Sequence, residues 1–328
     1  HIGPFVDRIF QVMGQGISTS NALSSLGLAK SEDVAEDITV ELRFVSPVPV
    51  EKVIATAEAA GEAILSVYNS EASKWEVELK ADNSPLTKAD TMANQIICRE
   101  LQKMSPHVPI ISEENKIVPA ELRKGYEYFW LVDPMDGTKE FLKRNGEFTV
   151  NIALMYKDHP ILGVVHVPVS GKTYWAVKEK GAWLRQGTGE GRKQERIRAA
   201  KFGLQDKGLS IVGSSSHPSQ QTAEFMELFD SPNTLQVGSS LKLLMVAEGS
   251  AHIYPRMVPC CEWDTAAADI IVSEAGGVVL QAGLCDHNGK ALEDWKTVLM
   301  KEQPLVYNKD SLLNPFFVVF GERRAEEA

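Results

Sequence analysis

Apolar residues recur at helical spacing soon after residue 50. Val53, Ile54, Ala57, Ile64, Leu65 and Tyr68 fall on one face of a helix that runs to about residue 68. A second stripe, Ala93, Ile96, Ile97, Leu101 and Met104, predicts a helix over residues 88–104, closed by Pro106. From residue 126 to about 184 the period shortens. Apolar runs at 128–132, 148–156, 161–167, 173–177 and 182–184, joined by connections as short as Ser170-Gly171-Lys172, predict a largely antiparallel sheet. Residues 186–198 are Gly-rich and charged with no apolar periodicity, which suits either an exposed hairpin or a seam between halves. Beyond about residue 200 the elements alternate, with strands at 209–212, 235–237 and 251–254 and helices after Pro218, at 241–248 and at 265–275. Such alternation argues for an α/β half.

These patterns divide the chain into an extension over residues 1–49, an α+β subdomain over 50–200 and an α/β subdomain over 201–328. At 328 residues the chain can bury a large core in one domain or in two subdomains sharing a cleft. A net charge of −10 argues against a nucleic-acid backbone as partner, because such partners need clustered Lys and Arg. An anionic small substrate would need cations to offset the repulsion. Cys98, Cys260, Cys261 and Cys285 have neither zinc-ligand spacing nor the density of a disulfide scaffold, so a reducing compartment is expected. Buried thiols usually just pack, and the adjacent Cys260-Cys261 pair has a redox handle as its other reading. No stretch approaches the roughly 18 consecutive apolar residues of a membrane helix, and no secretory signal pattern is present. A soluble intracellular protein is expected, cytoplasmic or in an organelle lumen. The start at His1 rather than Met suggests a trimmed terminus and a removed targeting segment.

The candidate chemistry lies where regular elements end. Trp130-Leu131-Val132-Asp133-Pro134-Met135-Asp136-Gly137-Thr138 is an apolar strand that closes in two carboxylates three residues apart, then a glycine and a hydroxyl. Asp133 and Asp136 can offer hard oxygens to Mg²⁺, while the Gly137-Thr138 backbone turns its amides toward a phosphate. The same residues also suit an acidic turn before a helix, with Pro134 fixing φ. Three further segments share this double character. In residues 80–90, Thr87 and Asp90 fit a capping box. Pro109-Ile110-Ile111-Ser112-Glu113-Glu114 is a short strand delivering two carboxylates, or an exposed acidic turn. In Glu262-Trp263-Asp264-Thr265-Ala266-Ala267-Ala268-Asp269, Asp264 either caps a helix ending at Gly276-Gly277 or faces a cleft and holds a metal. Caps and turns do not explain why one chain places an acid at the end of an element four times.

Taken together these segments resemble the lithium-sensitive, magnesium-dependent phosphatase superfamily, which includes inositol monophosphatases and fructose bisphosphatases. Within it the chain looks most similar to the 3′(2′),5′-bisphosphate nucleotidases. The resemblance runs from about residue 52 to the end and is carried by residues 80–90, Ser112-Glu113-Glu114, residues 130–141, Asn145-Gly146-Glu147-Phe148-Thr149-Val150-Asn151 and Trp263-Asp264-Thr265-Ala266-Ala267. Lys139-Glu140-Phe141, directly after Asp136-Gly137-Thr138, is like the nucleotidases. The resemblance implies a mixed α/β fold, a layered α-β-α-β-α sandwich of the sugar phosphatase type with the site in the cleft between subdomains. It implies that Glu113, Asp133, Asp136 and Asp264, with the Met135 carbonyl, bind two or three Mg²⁺ ions. Asp90 with Thr138 would position and deprotonate an attacking water, Glu113 belonging to the catalytic set as well. Asp136, Gly137, Thr138 and Asp264 would hold the reacting phosphate.

For the rest of the substrate the family suggests Ser216, His217 and Lys242 as contacts for the ribose and a second phosphate. Ser216 has a helix cap as its other reading, and Lys242 a solvated helix position. Relatives often carry Arg where this chain has Ser215, which alters nucleotide anchoring. The implied activity is Li⁺-sensitive hydrolysis of 3′-phosphoadenosine 5′-phosphate, and of 3′-phosphoadenylyl sulfate, by direct attack of water. A small phosphorylated nucleotide is then the partner, with no nucleic acid or membrane, and the protein is a monomer or homodimer. The alternatives are an inositol monophosphatase-type enzyme and a nucleotide-binding regulator that no longer hydrolyses.

Overall fold

The computed structural model describes residues 38–43, 45–80, 84–187, 191–214, 219–286 and 290–324. A ribbon of β1 (Thr39–Leu42) and β2 (Val45–Pro49) leads into helix α1 (Val50–Tyr68), and a second ribbon of β3 (Glu78–Leu79) and β4 (Pro85–Leu86) leads into α2 (Lys88–Met104). Both helices follow the apolar stripes expected of them. Then come β5 (Ile110–Ser112), the single turn α3 (Ala120–Arg123), β6 (Tyr128–Asp136) and α4 (Thr138–Lys143). Next are β7 (Thr149–Tyr156), β8 (His159–Val167), β9 (Lys172–Val177), β10 (Gly181–Gln186) and β11 (Lys193–Ile197). These strands form a seven-stranded sheet in the order β11-β10-β9-β8-β7-β6-β5, in which only β5 and β6 run parallel. Of the two readings of residues 186–198, the hairpin is the one found.

After the two-residue strand β12 (Lys201–Phe202) the chain alternates β13 (Ser210–Ser214), α5 (Gln220–Met226), β14 (Asn233–Val237), α6 (Leu241–Ala247), β15 (Ile253–Arg256) and α7 (Ala266–Glu274). It finishes with β16 (Val278–Gln281), α8 (Trp295–Leu299), β17 (Phe317–Phe320) and β18 (Glu322–Arg323). The second sheet has five strands in the order β14-β13-β15-β17-β16, parallel on the β14 side and antiparallel on the β16 side.

Strand alternation explains how these pieces stack. On β6, Trp130 and Val132 enter one core with α1 and α2, while Phe129 and Leu131 enter another with α6 and α7. On the smaller sheet, Val212, Tyr254, Phe317 and Val319 face that second core, while Ile211, Ile253, Val318 and Phe320 pack with Phe225 of α5 and Trp295 of α8. The result is the expected α-β-α-β-α stack. Helix α7 is its middle layer, so Ala266 through Val272 are all buried. No helix of the described residues is long and apolar enough to cross a membrane, and the four cysteines are free thiols.

Two glycines set the spacing on either side of the large sheet. A Cβ on Gly163 of β8 would lie 2.2 Å from the Ala267 carbonyl oxygen and 2.6 Å from Ile270, so only a bare Cα lets α7 lie this close. On the other face, a Cβ on Gly61 of α1 would lie 2.4 Å from the His166 ring. That ring is buried and pairs through Nδ1 with the Thr173 hydroxyl at 2.9 Å, and burial draws its pKa from 6.5 down to about 4.

Two outcomes follow from this packing. Gly163→Ala forces α7 off the sheet, an overpacking cost of about 1–3 kcal/mol, so its thermal midpoint by circular dichroism falls several degrees; an unchanged midpoint contradicts the packing described. His166 is neutral when folded and takes up a proton more readily when unfolded, so its contribution is intact above pH 6.5 and is lost as pH falls toward 4. Urea titrations should therefore show wild type losing on the order of 3 kcal/mol more than His166→Gln across that interval; parallel pH profiles contradict the assignment.

Candidate active site

Residues three apart on a regular strand point to opposite faces, yet Asp133 and Asp136 share one side of β6. The register shows how. Asp133 pairs with Asn151 and Asp136 with Thr149, so one more residue lies between the pair on β6 than on β7. This is a β-bulge, and Pro134, which has no amide to donate, sits inside it. The Met135 amide then donates to Asp133 Oδ1 at 3.0 Å, and the chain leaves the strand through Gly137 at φ 101°. A Cβ there would meet the Glu147 carbonyl oxygen at 3.0 Å and Ser239 Cβ at 3.1 Å, so glycine is required for conformation and for space. Helix α4 starts at once with Thr138.

Three other segments bring their acids to the same place. Parallel pairing of β5 with β6 carries Glu113 alongside, its amide donating to the Val132 carbonyl at 3.1 Å. Its carboxylate pairs with Lys80 Nζ at 2.7 Å, and Lys80 also meets Glu114 at 2.6 Å. Asp90, on the first turn of α2, is nearly fully buried; its Oδ2 accepts from the Thr87 amide and hydroxyl, each at 2.7 Å, and its Oδ1 accepts from the Thr138 hydroxyl at 3.1 Å. The capping box expected at Thr87 and Asp90 is therefore present, and the same carboxylate also reaches Thr138. Asp264 ends a 3-10 turn over Glu262–Asp264 and accepts the Cys261 amide at 2.9 Å. It does not cap α7, whose N-cap residue is Thr265 with no side-chain bond. Buried Glu262 anchors that turn to the Asn308 amide at 2.7 Å and to the Lys309 side chain.

Glu113, Asp133, Met135, Asp136, Gly137, Thr138, Lys242 and Asp264 line one cleft of about 200 Å³. Asp90 stands behind Thr138. Ser216 and His217 lie outside the described residues, as does Ser215; the helix that follows them is capped by Ser219. Lys242 is not a solvated helix residue. It is 3% exposed, donates to the Ser239 carbonyl at 2.6 Å, and is drawn down to about 8 by burial and by the charge of Arg256, against the pull of Asp136. Ser240, from the same 238–242 segment as Lys242, also lines the cleft, as do Tyr254 and Arg256, which had no role assigned from sequence. Arg256 ends an apolar strand just as the acids do, so the same signal could have found it. Burial and Asp264 push the Cys260 thiol up to about 12, which disfavours the thiolate that a redox handle uses.

The electrostatics show what the cleft lacks. Burial, then Glu113, Asp136 and Asp264, raise Asp133 well above the ordinary carboxylate range. Asp264 is pushed up to about 8, first by burial and then by Asp136 and Glu113. Burial also raises Asp136, against Lys242 and the Ser240 hydroxyl. Like charges are thus crowded in a desolvated place without enough cation to balance them. Among the described residues no three acidic, His or Cys side chains close into a ready-made ion cage. The donors are nonetheless all hard oxygens, the set that suits Mg²⁺ rather than zinc, and divalent cations are the compensation their repulsion calls for.

Comparison with known proteins extends this geometry. Residues 47–315 match the model of the inositol monophosphatase family. The chain is 41% identical over 271 residues, 82% of its length and 98% of the relative's, to the 3′(2′),5′-bisphosphate nucleotidase CysQ of Salmonella typhimurium. It is equally similar, at 41% over 272 residues, to the CysQ nucleotidase of Escherichia coli K12. Among solved structures, CysQ from Bacteroides thetaiotaomicron, a bacterial member of the inositol monophosphatase family, is 40% identical with a TM-score of 0.69, covering 84% of this chain and 97% of that one. The inositol monophosphatase of Thermotoga maritima shares the fold at 24% identity and a TM-score of 0.60. With the match running through both sheets and across every acidic segment of the cleft, the chain belongs to the inositol monophosphatase family.

Proposed function

We propose that the chain is a Mg²⁺-dependent phosphoric monoester hydrolase of the 3′(2′),5′-bisphosphate nucleotidase type. Its substrate is 3′-phosphoadenosine 5′-phosphate, converted to AMP and phosphate, with 3′-phosphoadenylyl sulfate taken in the same way to adenylyl sulfate. The observation that carries the reading is the Thr138 hydroxyl bonded to buried Asp90 at the edge of a crowded carboxylate cleft. The nucleotide assignment is supported by 41% identity across nearly the whole length of relatives named for that activity. A division of the chain near residue 200, the first part carrying most acids and the second Asp264 and the nucleotide contacts, belongs to the same reading.

In this mechanism Glu113, Asp133, the Met135 carbonyl, Asp136 and Asp264 would hold two or three Mg²⁺ ions. The chemistry such ions would supply there is a lowered pKa for water and neutralised charge on the leaving oxygen. The chain's own residues do the rest. The Thr138 hydroxyl gives its proton to Asp90 and so presents its oxygen to the attacking water, whose proton passes along this pair while Glu113 helps hold it in line. The water oxygen bonds to phosphorus as the bond to the ribose 3′ oxygen breaks, and no covalent enzyme intermediate forms. Asp136, Gly137 and Thr138, with amides at the start of α4, and Asp264 keep the departing phosphate oriented. Lys242, with Ser216 and His217, meets the ribose and the second phosphate. Free thiols suit an intracellular, reducing setting.

Phosphate release from a panel of esters tests the substrate: 3′-phosphoadenosine 5′-phosphate should be preferred, with turnover abolished by chelator and inhibited by Li⁺. Preference for inositol 1-phosphate or fructose 1,6-bisphosphate overturns the nucleotide assignment, and tight binding without turnover favours a regulator. The roles separate by mutation. Asp136→Asn should cut turnover by more than about 100-fold, because it removes a charge that grips the cation directly. Asp90→Asn should cost about 10²–10⁴-fold in kcat while leaving Mg²⁺ affinity near that of wild type. Near-normal turnover in either variant contradicts the mechanism.

A further inference from the structure

We propose that Ser240 is a positioning residue for the acidic cleft, orienting the Asp136 carboxylate of the first sheet from the start of helix α6 in the second half. The inference rests on the metal-dependent reading above.

Ser240 occupies the N-cap position of α6, where a serine ordinarily accepts an amide of the first turn. Here it makes no such bond. Its backbone is already helical at φ −67° and ψ −7°, and Ser239 before it is held at φ 46°, a left-handed conformation that costs a non-glycine residue free energy. A helix start with neither its usual cap nor a relaxed entry has to be explained by what the hydroxyl does instead. Ser240 Oγ lies 2.7 Å from Asp136 Oδ2 and 2.8 Å from the Asp264 carbonyl oxygen, in a residue only 1% exposed.

A buried relay decides which way that hydroxyl points. On β7, the Thr149 hydroxyl donates to Asn151 Oδ1 at 2.9 Å, which turns Asn151 Nδ2 toward Ser240 Oγ, also at 2.9 Å. Because Ser240 accepts there, its own proton goes forward to the cleft, and charged Asp136 is a stronger acceptor than the neutral carbonyl. Asp136 Oδ2 is thereby held, and Oδ1 is the oxygen left for a cation. All three relay residues are neutral. A cationic partner in this place would cancel the charge that a divalent ion needs, whereas a hydroxyl fixes orientation and leaves the charge intact.

Mg²⁺ binding by the metal-free protein, followed by calorimetry, tests this, with thermal midpoints of the metal-free variants and substrate kinetics alongside. Ser240→Ala and the nearly isosteric Ser240→Cys should weaken Mg²⁺ binding by about 10–100-fold, with KM at saturating Mg²⁺ close to wild type and the metal-free thermal midpoint little changed. Ser240→Thr, which keeps the hydroxyl, should retain most of the affinity. Added to Ser240→Ala, Asp136→Asn should weaken Mg²⁺ binding by less than it does in wild type, because the two act through one carboxylate. Wild-type Mg²⁺ affinity in Ser240→Cys overturns the role of Ser240 alone. A wild-type protein that takes up no Mg²⁺ overturns the functional reading and this role with it.

Discussion

Bringing carboxylates together out of water is the constraint on which this structure turns. Burial is the first cause disfavouring each of Asp133, Asp136 and Asp264 as an anion, followed by acidic neighbours at Asp133 and Asp264 and opposed at Asp136 by Lys242, Ser240 and Arg256. Lys80, Lys242 and Arg256 offset only part of that charge, the first by pairing with Glu113 and the other two by their charge on Asp136. A protein gains no stability from such an arrangement, since desolvation and repulsion act in the same direction. It makes physical sense as a site whose missing charge arrives with a ligand.

The layers exist to hold that arrangement still. β6 is paired on both sides, by β5 and β7, and buried on both faces, so the bulge that turns Asp133 and Asp136 to one side is fixed by pairing with β7. The opposing acid comes from the middle helical layer, where Glu262 locks the turn before α7 and Gly163 lets that helix lie directly on β8. Asp90 reaches in from the far layer through Thr138. Acids from four separate segments thus sit on regular elements or in the tight turns that end them.

Much of this was legible in sequence because the informative features are local. Long amphipathic stripes specify α1 and α2, and alternating apolar runs specify β7 to β10. Acids at the ends of apolar segments mark Glu113, Asp133, Asp136 and Asp264. What was not legible depends on register and approach. Nothing in the order of residues says that β6 carries one extra residue against β7, so the link from Asn151 through Ser240 to Asp136 is visible only when the strands are paired. Burial of Lys242 and the pairing of Lys80 with Glu113 likewise need distant segments in place. β16 and β17 are four residues each and α8 is five, too short to show a period. Of the two readings of Asp264, the cap for α7 is not found: Asp264 closes a 3-10 turn and accepts the Cys261 amide, while Thr265 takes the N-cap position.

The central claim is that folding brings these acids around divalent cations. Crystals grown with Mn²⁺ in place of Mg²⁺ test it directly through the metal's anomalous scattering. The account predicts peaks in the cleft, each within bonding distance of oxygens from Asp133, Asp136, Asp264 or Glu113, with Lys80 displaced from Glu113. A cleft without a peak, its carboxylates still turned to their protein partners at saturating Mn²⁺, would contradict it.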